Sequence, residues 1–257
     1  VNDVFEILTR GTDLSLSGFW VLCTVSFLGS FTAAALGLGG GILVLATMAQ
    51  LLPPTVLVPI HGVVQLGSNL GRALLLLRHT LTAIVPPFLA GTLVGAALGA
   101  QFVITLPKQW LQIVLAIFIL TTTWAPQFQS GSTGKVKFIV VGALTTIISM
   151  FVGGTGALVG AFVSPACADR RQFVSTHAVV MAIQHAFKVI AFGILGFAFS
   201  HYIPLLLGLV LFGFLGSYAG RSVLNRLPER VFRVGLKTIL TLLGLRLLFT
   251  ALSGGAG

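Results

Sequence analysis

The spacing of the apolar runs constrains this chain more than anything else in its sequence. Crossing the hydrocarbon of a bilayer takes about 20 apolar residues. Runs close to that length lie near 15–36, 56–77, 81–105 and 109–125, and again near 136–152, 173–198, 202–224 and 231–252. Two shorter apolar pieces, 39–52 and 155–166, fall between the first and second run of each set. At about 1.5 Å per residue these reach only about 15–21 Å, so each is expected to be a re-entrant or broken helix. Charged residues make up 8% of the chain, against about 25% in a soluble domain. Too few charges remain to cover a water-facing surface. The expected fold is an all-α membrane protein with about eight full transmembrane helices and two short re-entrant or broken ones.

The formal net charge is +10. The basic residues sit in short hydrophilic gaps rather than in a patch interleaved with aromatics, which excludes nucleic acid as the partner and fits a positive-inside bias. Arg78, Lys135, Lys137, Arg170, Arg171, Arg221, Arg226, Arg230 and Arg233 mark cytoplasmic connections, and Lys108 alone falls on the other side. The start of the chain, with Asn2, Asp3, Glu6 and Asp13, lacks the basic n-region of a signal peptide. Cys23 and Cys167 have no metal-type spacing, so neither a disulfide nor a metal cluster is expected.

The two sets of runs repeat. An offset of 116 carries Gly37-Leu-Gly-Gly-Gly41 onto Gly153-Gly-Thr-Gly-Ala157, His61-Gly-Val-Val64 onto His177-Ala-Val-Val180, Asn69 onto His185 and Arg72 onto Lys188. Further on the offset becomes 121, pairing Gly95 and Gly99 with Gly216 and Gly220, and Leu106-Pro107 with Leu227-Pro228. The expected organisation is a first transmembrane repeat over 1–126, a cytoplasmic linker at 127–137 and a second repeat over 138–257. If each short piece reverses the chain, each half has five segments and the halves have inverted topology, a plan in which transporters place their sites at mid-bilayer. If the short pieces are ordinary loops, each half has four spans and the repeats are parallel.

Gly39, Gly40 and Gly41, and their counterparts Gly154, Thr155 and Gly156, precede the short helices. Glycine lets backbone N–H groups face a ligand closely, and a helix N-terminus favours an anion; close helix packing is the plainer use of such residues. His61, Gln65, Ser68, Asn69 and Arg72 share one helical face, repeated by His177, Met181, Gln184, His185 and Lys188. Lipid penalises such a stripe, so it should face protein or a water-filled path. Gln65, Asn69, Gln184 and His185 are the candidate substrate contacts, with Lys188 as the compensating charge and Arg72 free to snorkel outward. His61 and His177 are candidates for gating or proton relay. No acidic residue lies in any apolar run, which disfavours a carboxylate-based cation pump and any hydrolase.

The glycine stretch after the first apolar run, its partial echo at Gly153–Gly156, the duplicated halves and the length together resemble the TauE/SafE family. That resemblance implies an inner-membrane, multi-pass carrier, often an exporter, of sulfite or related sulfonates. It implies no enzyme activity and no cofactor. The expected partners are a small anionic substrate and the lipid bilayer, with a homo-oligomer compatible. The competing readings are a metal-ion permease using His61, His177 and His185, a non-transporting membrane scaffold, and a membrane enzyme.

Overall fold

The computed structural model describes residues 12–102, 108–124, 134–224 and 229–253. Helix accounts for 89% of them, and no strand occurs among them. The helices are α1 (Leu16–Leu36), α2 (Gly40–Leu51), α3 (Pro54–Leu76), α4 (Val85–Phe102), α5 (Lys108–Trp124), α6 (Lys135–Val152), α7 (Gly156–Val163), α8 (Arg170–Ile194), α9 (Ile203–Ser222) and α10 (Glu229–Ser253). Short 3-10 turns precede α4 and α9 and follow α3 and α7.

Local chemistry sets several of these boundaries. The Ser15 hydroxyl accepts from the Gly18 N–H at 3.1 Å and starts α1. The Asp169 carboxylate accepts from the Gln172 N–H at 2.8 Å and starts α8. Both bonds satisfy first-turn donors that a helix leaves orphaned. Pro54 opens α3, where a missing N–H costs nothing.

Five stretches are long and apolar enough to cross a membrane: Leu16–Leu36, Thr82–Gln101, Lys135–Val152, Arg170–Ile194 and Phe199–Ser222. Gly40–Leu51, Gln112–Trp124 and Gly156–Ala166 are apolar but shorter. The 23 residues of α3 give it about 34 Å, yet its polar stripe lowers its apolar character. The expected linker at 127–137 lies outside the described residues up to 133, and α6 begins at Lys135, inside that expected boundary. Asn2, Asp3, Glu6, Leu106-Pro107, Arg226 and Leu227-Pro228 also lie outside the described residues.

Polarity is distributed as a bilayer demands. Ile194, Phe249, Leu207 and Leu74 are exposed on the outer surface, while His61, Asn69, Arg72, Gln184, His185 and Lys188 are buried. Helix pairing crosses between the halves of the sequence: α1 lies along α9, α4 along α6, and α3 along α8.

Glycines make these crossings. A Cβ at Gly95 would collide with the Ala143 carbonyl, and one at Gly216 with the Phe27 carbonyl. Likewise Gly99 seats on Ile147 and Met150, and Gly220 on Phe31 and Ala34. Each contact in α4–α6 therefore has its counterpart in α9–α1 at the offsets of 116 and 121, with the halves exchanged. Rising number meets rising number in both pairs, so each pair is parallel. Gly67 against Val210 and Gly71 against Phe214 make α3 parallel to α9 as well. By contrast, Gly62 lies beside Lys188 and Val189, while the Leu76 carbonyl accepts from the Ser175 hydroxyl at 2.8 Å, so α3 and α8 are antiparallel.

Candidate functional site

Two glycine turns and two polar stripes meet in the interior. Gly37 closes α1 at φ 91°, its N–H donating to the Ala33 carbonyl at 2.9 Å, and Gly39 opens α2 at φ 92°. At the equivalent place, Gly153 closes α6 at φ 88° with its N–H on the Ser149 carbonyl at 3.0 Å. An L-residue in this left-handed region costs about 1–2 kcal/mol. The second turn then departs from the first, because Thr155 precedes α7 at φ −114°. Each turn is packed by the opposite half of the chain: a Cβ on Gly37 would lie 2.5 Å from Phe173 Cε1, and one on Gly153 2.7 Å from Leu45 Cδ1.

Between the turns lies a narrow cavity of about 30 Å³. Gly39, Gly40 and Gly41 present the start of α2 to it, and Gly154 and Gly156 the start of α7. From α3 it receives His61, Gln65, Asn69 and Arg72, and from α8 His177, Met181 and His185. Ala33, Leu38 and Ile42 supply an apolar wall.

The side chains are held in a chain of hydrogen bonds. His61 donates from Nε2 to the Gly41 carbonyl at 3.0 Å, and His177 from Nε2 to the Gly156 carbonyl at 2.8 Å. A carbonyl only accepts, so both rings carry their proton on Nε2. Their Nδ1 atoms, and that of His185, are buried without a partner. The rings of His61 and His185 meet edge to face with centroids 5.9 Å apart. Asn69 donates from Nδ2 to the Gln65 carbonyl at 2.7 Å, and its Oδ1 accepts from Arg72 Nη2. Arg72 is 3% exposed, and its Nε and Nη1 have no partner.

Three of the residues singled out from sequence lie off the cavity wall. Thr155 and Gln184 bond each other, the Gln184 amide donating to Thr155 Oγ1 at 3.0 Å and the hydroxyl donating back at 3.2 Å. Lys188 donates from Nζ to the Gly153 carbonyl at 2.5 Å, tying α8 to the end of α6. Arg72 does not snorkel; it is the cation that reaches the cavity. The sequence signal for it was its place three residues beyond Asn69 on the same stripe, a full turn and a half short of the loop-marking Arg78.

The lining offers donors and positive charge. No acidic side chain contributes, and among the described residues no group of three His, Cys, Asp or Glu side chains could hold a metal ion. A second cavity of about 760 Å³ opens where α3 ends, between Arg78, His79, Arg171 and Arg221. Clefts lined by one sign of charge concentrate ions of the other.

The family model described as sulfite exporter TauE/SafE matches residues 22–247, from the middle of α1 to the last turns of α10. This chain belongs to the TauE/SafE family. The match takes in both glycine turns and both polar stripes, and it makes the chain a multi-pass membrane protein of a transporter family. Among curated proteins and among solved structures, none matches this TauE/SafE chain.

Proposed function

We propose that the protein exports a small sulfur-containing anion such as sulfite or a sulfonate across the inner membrane. The anion binds between the two glycine turns. The observation that carries the reading is Arg72, a buried guanidinium with two unpartnered donors that lines a cavity two helix N-termini also line. An oxyanion accepts from such donors and supplies the missing charge, and guanidinium geometry suits planar, bidentate recognition.

The reading includes two inverted repeats, with α3, α5 and α10 crossing the bilayer beside the five long apolar helices and α2 and α7 entering without crossing. It is supported by the antiparallel run of α3 and α8, equivalent helices in the repeat, and by the exchanged contacts of Gly95 and Gly216. Rocking of one half against the other then alternates access. The basic cleft of Arg78, Arg171 and Arg221 lies on the side assigned to the cytoplasm and gathers substrate there. The test is flux of labelled sulfite, taurine and sulfoacetate in proteoliposomes of folded protein. Saturable flux of a sulfur anion, with its half-saturation concentration raised in Arg72→Gln, is the expected result; flux of none of them overturns the assignment.

A further inference from the structure

Transport by alternating access passes the closed state twice per cycle, once with substrate and once on the return. The charge inside the closed cavity therefore decides which passages are easy. Arg72 cannot shed its proton in a protein. Its only partner is the neutral amide of Asn69, and Nε and Nη1 have none. The rest of the wall is glycine backbone, amide, imidazole and hydrocarbon. Of the acidic residues, Asp13 and Asp169 are exposed, and neither lines the cavity. An anion in the closed cavity completes a buried ion pair. Closure without one buries a lone cation in a low-dielectric space, the costly arrangement for any buried charge.

Resting on the reading of this cavity as an anion site, we infer that the protein is an obligatory anion exchanger. The return stroke also carries an anion, of a size the site accepts, inward. Export of the sulfur anion is then driven by its own gradient together with that of the incoming anion. Lys188, the repeat counterpart of Arg72, lies off the cavity wall with its Nζ on the Gly153 carbonyl, a bond that holds the ammonium without neutralising it, so its charge adds to the same imbalance.

Proteoliposomes loaded with labelled sulfite are diluted into potassium sulfite, sulfate, chloride or gluconate, with valinomycin and potassium on both sides to remove any membrane potential. Gluconate serves as the anion too large for the site. Efflux at least about tenfold faster into one of the small anions than into gluconate is the expected result. Equal efflux into all four media overturns the inference. In Arg72→Gln the ratio should fall, because the empty site closes with one uncompensated cation fewer; an undiminished ratio also overturns it. Arg72→Lys retains the charge and should retain the ratio, which separates loss of charge from loss of fold. Binding of labelled sulfite to the solubilised protein distinguishes the two readings. Binding with medium-independent efflux rejects exchange alone, whereas no binding and no flux rejects the anion site with it.

Discussion

Arg72 and Lys188 occupy equivalent positions 116 residues apart, yet their environments predict opposite outcomes for the same substitution. In Arg72→Met the stem keeps most of its length while the two unpartnered nitrogens disappear. Each buried donor left unsatisfied costs about 1–3 kcal/mol, so about 4 kcal/mol is relieved. Against this stands the bond to Asn69, at about 1.5–3 kcal/mol for a charged donor. The balance is about 2 kcal/mol in favour of the variant. Lys188→Met also removes a buried charge, but its one nitrogen already has an acceptor, so no unpartnered nitrogen is relieved. It forfeits the bond to the Gly153 carbonyl, about 1.5–3 kcal/mol, and leaves that oxygen with only the Ser149 hydroxyl at 3.4 Å. Denaturant unfolding of the detergent-solubilised protein in gluconate buffer should therefore show Arg72→Met as stable as the parent or more so, and Lys188→Met less stable. Added sulfite should raise the stability of the parent and of Lys188→Met but not of Arg72→Met, since a ligand stabilises only the state it binds. If Arg72→Met loses as much stability as Lys188→Met in the absence of sulfite, the guanidinium is well satisfied in the folded protein and the reasoning fails.

Three further outcomes follow from the geometry. Gly37→Ala should lose about 2–5 kcal/mol from left-handed strain and contact with Phe173, whereas Gly196→Ala, at φ 89° with nothing within 4 Å, should lose only about 1–2 kcal/mol; comparison of their unfolding midpoints checks this. Thr155→Val should cost about 1–3 kcal/mol by stranding the Gln184 amide, and adding Gln184→Leu should recover most of it, as a double-mutant cycle will read out. Gly95→Val and Gly216→Val should reduce the yield of monodisperse protein to similar degrees, because each forces a side chain onto the backbone at an equivalent helix crossing.

Length and apolarity alone placed the helices. The expected short pieces 39–52 and 155–166 became Gly40–Leu51 and Gly156–Val163 with its 3-10 extension, because an apolar run ends where glycine lets the chain turn. The left-handed positions at Gly37 and Gly153 were likewise readable, since only glycine adopts them cheaply. The polar stripes of α3 and α8 were readable as buried, because lipid rejects them. Which stripe residues share one cavity was not. Gln65, Asn69 and His185 reach it, while Gln184 turns to Thr155 and Lys188 to Gly153. A helical offset fixes the face a residue occupies, but its partner comes from another helix a hundred residues away. The sequence by itself determined a helical, membrane-embedded chain with short helices after glycine turns at matching places, because those follow from local hydrophobicity and backbone freedom. Only the tertiary structure decided that α1 lies along α9 and α6 along α4, and that Arg72 rather than Lys188 lines the cavity with donors to spare, because those depend on long-range packing and on which buried donors find acceptors.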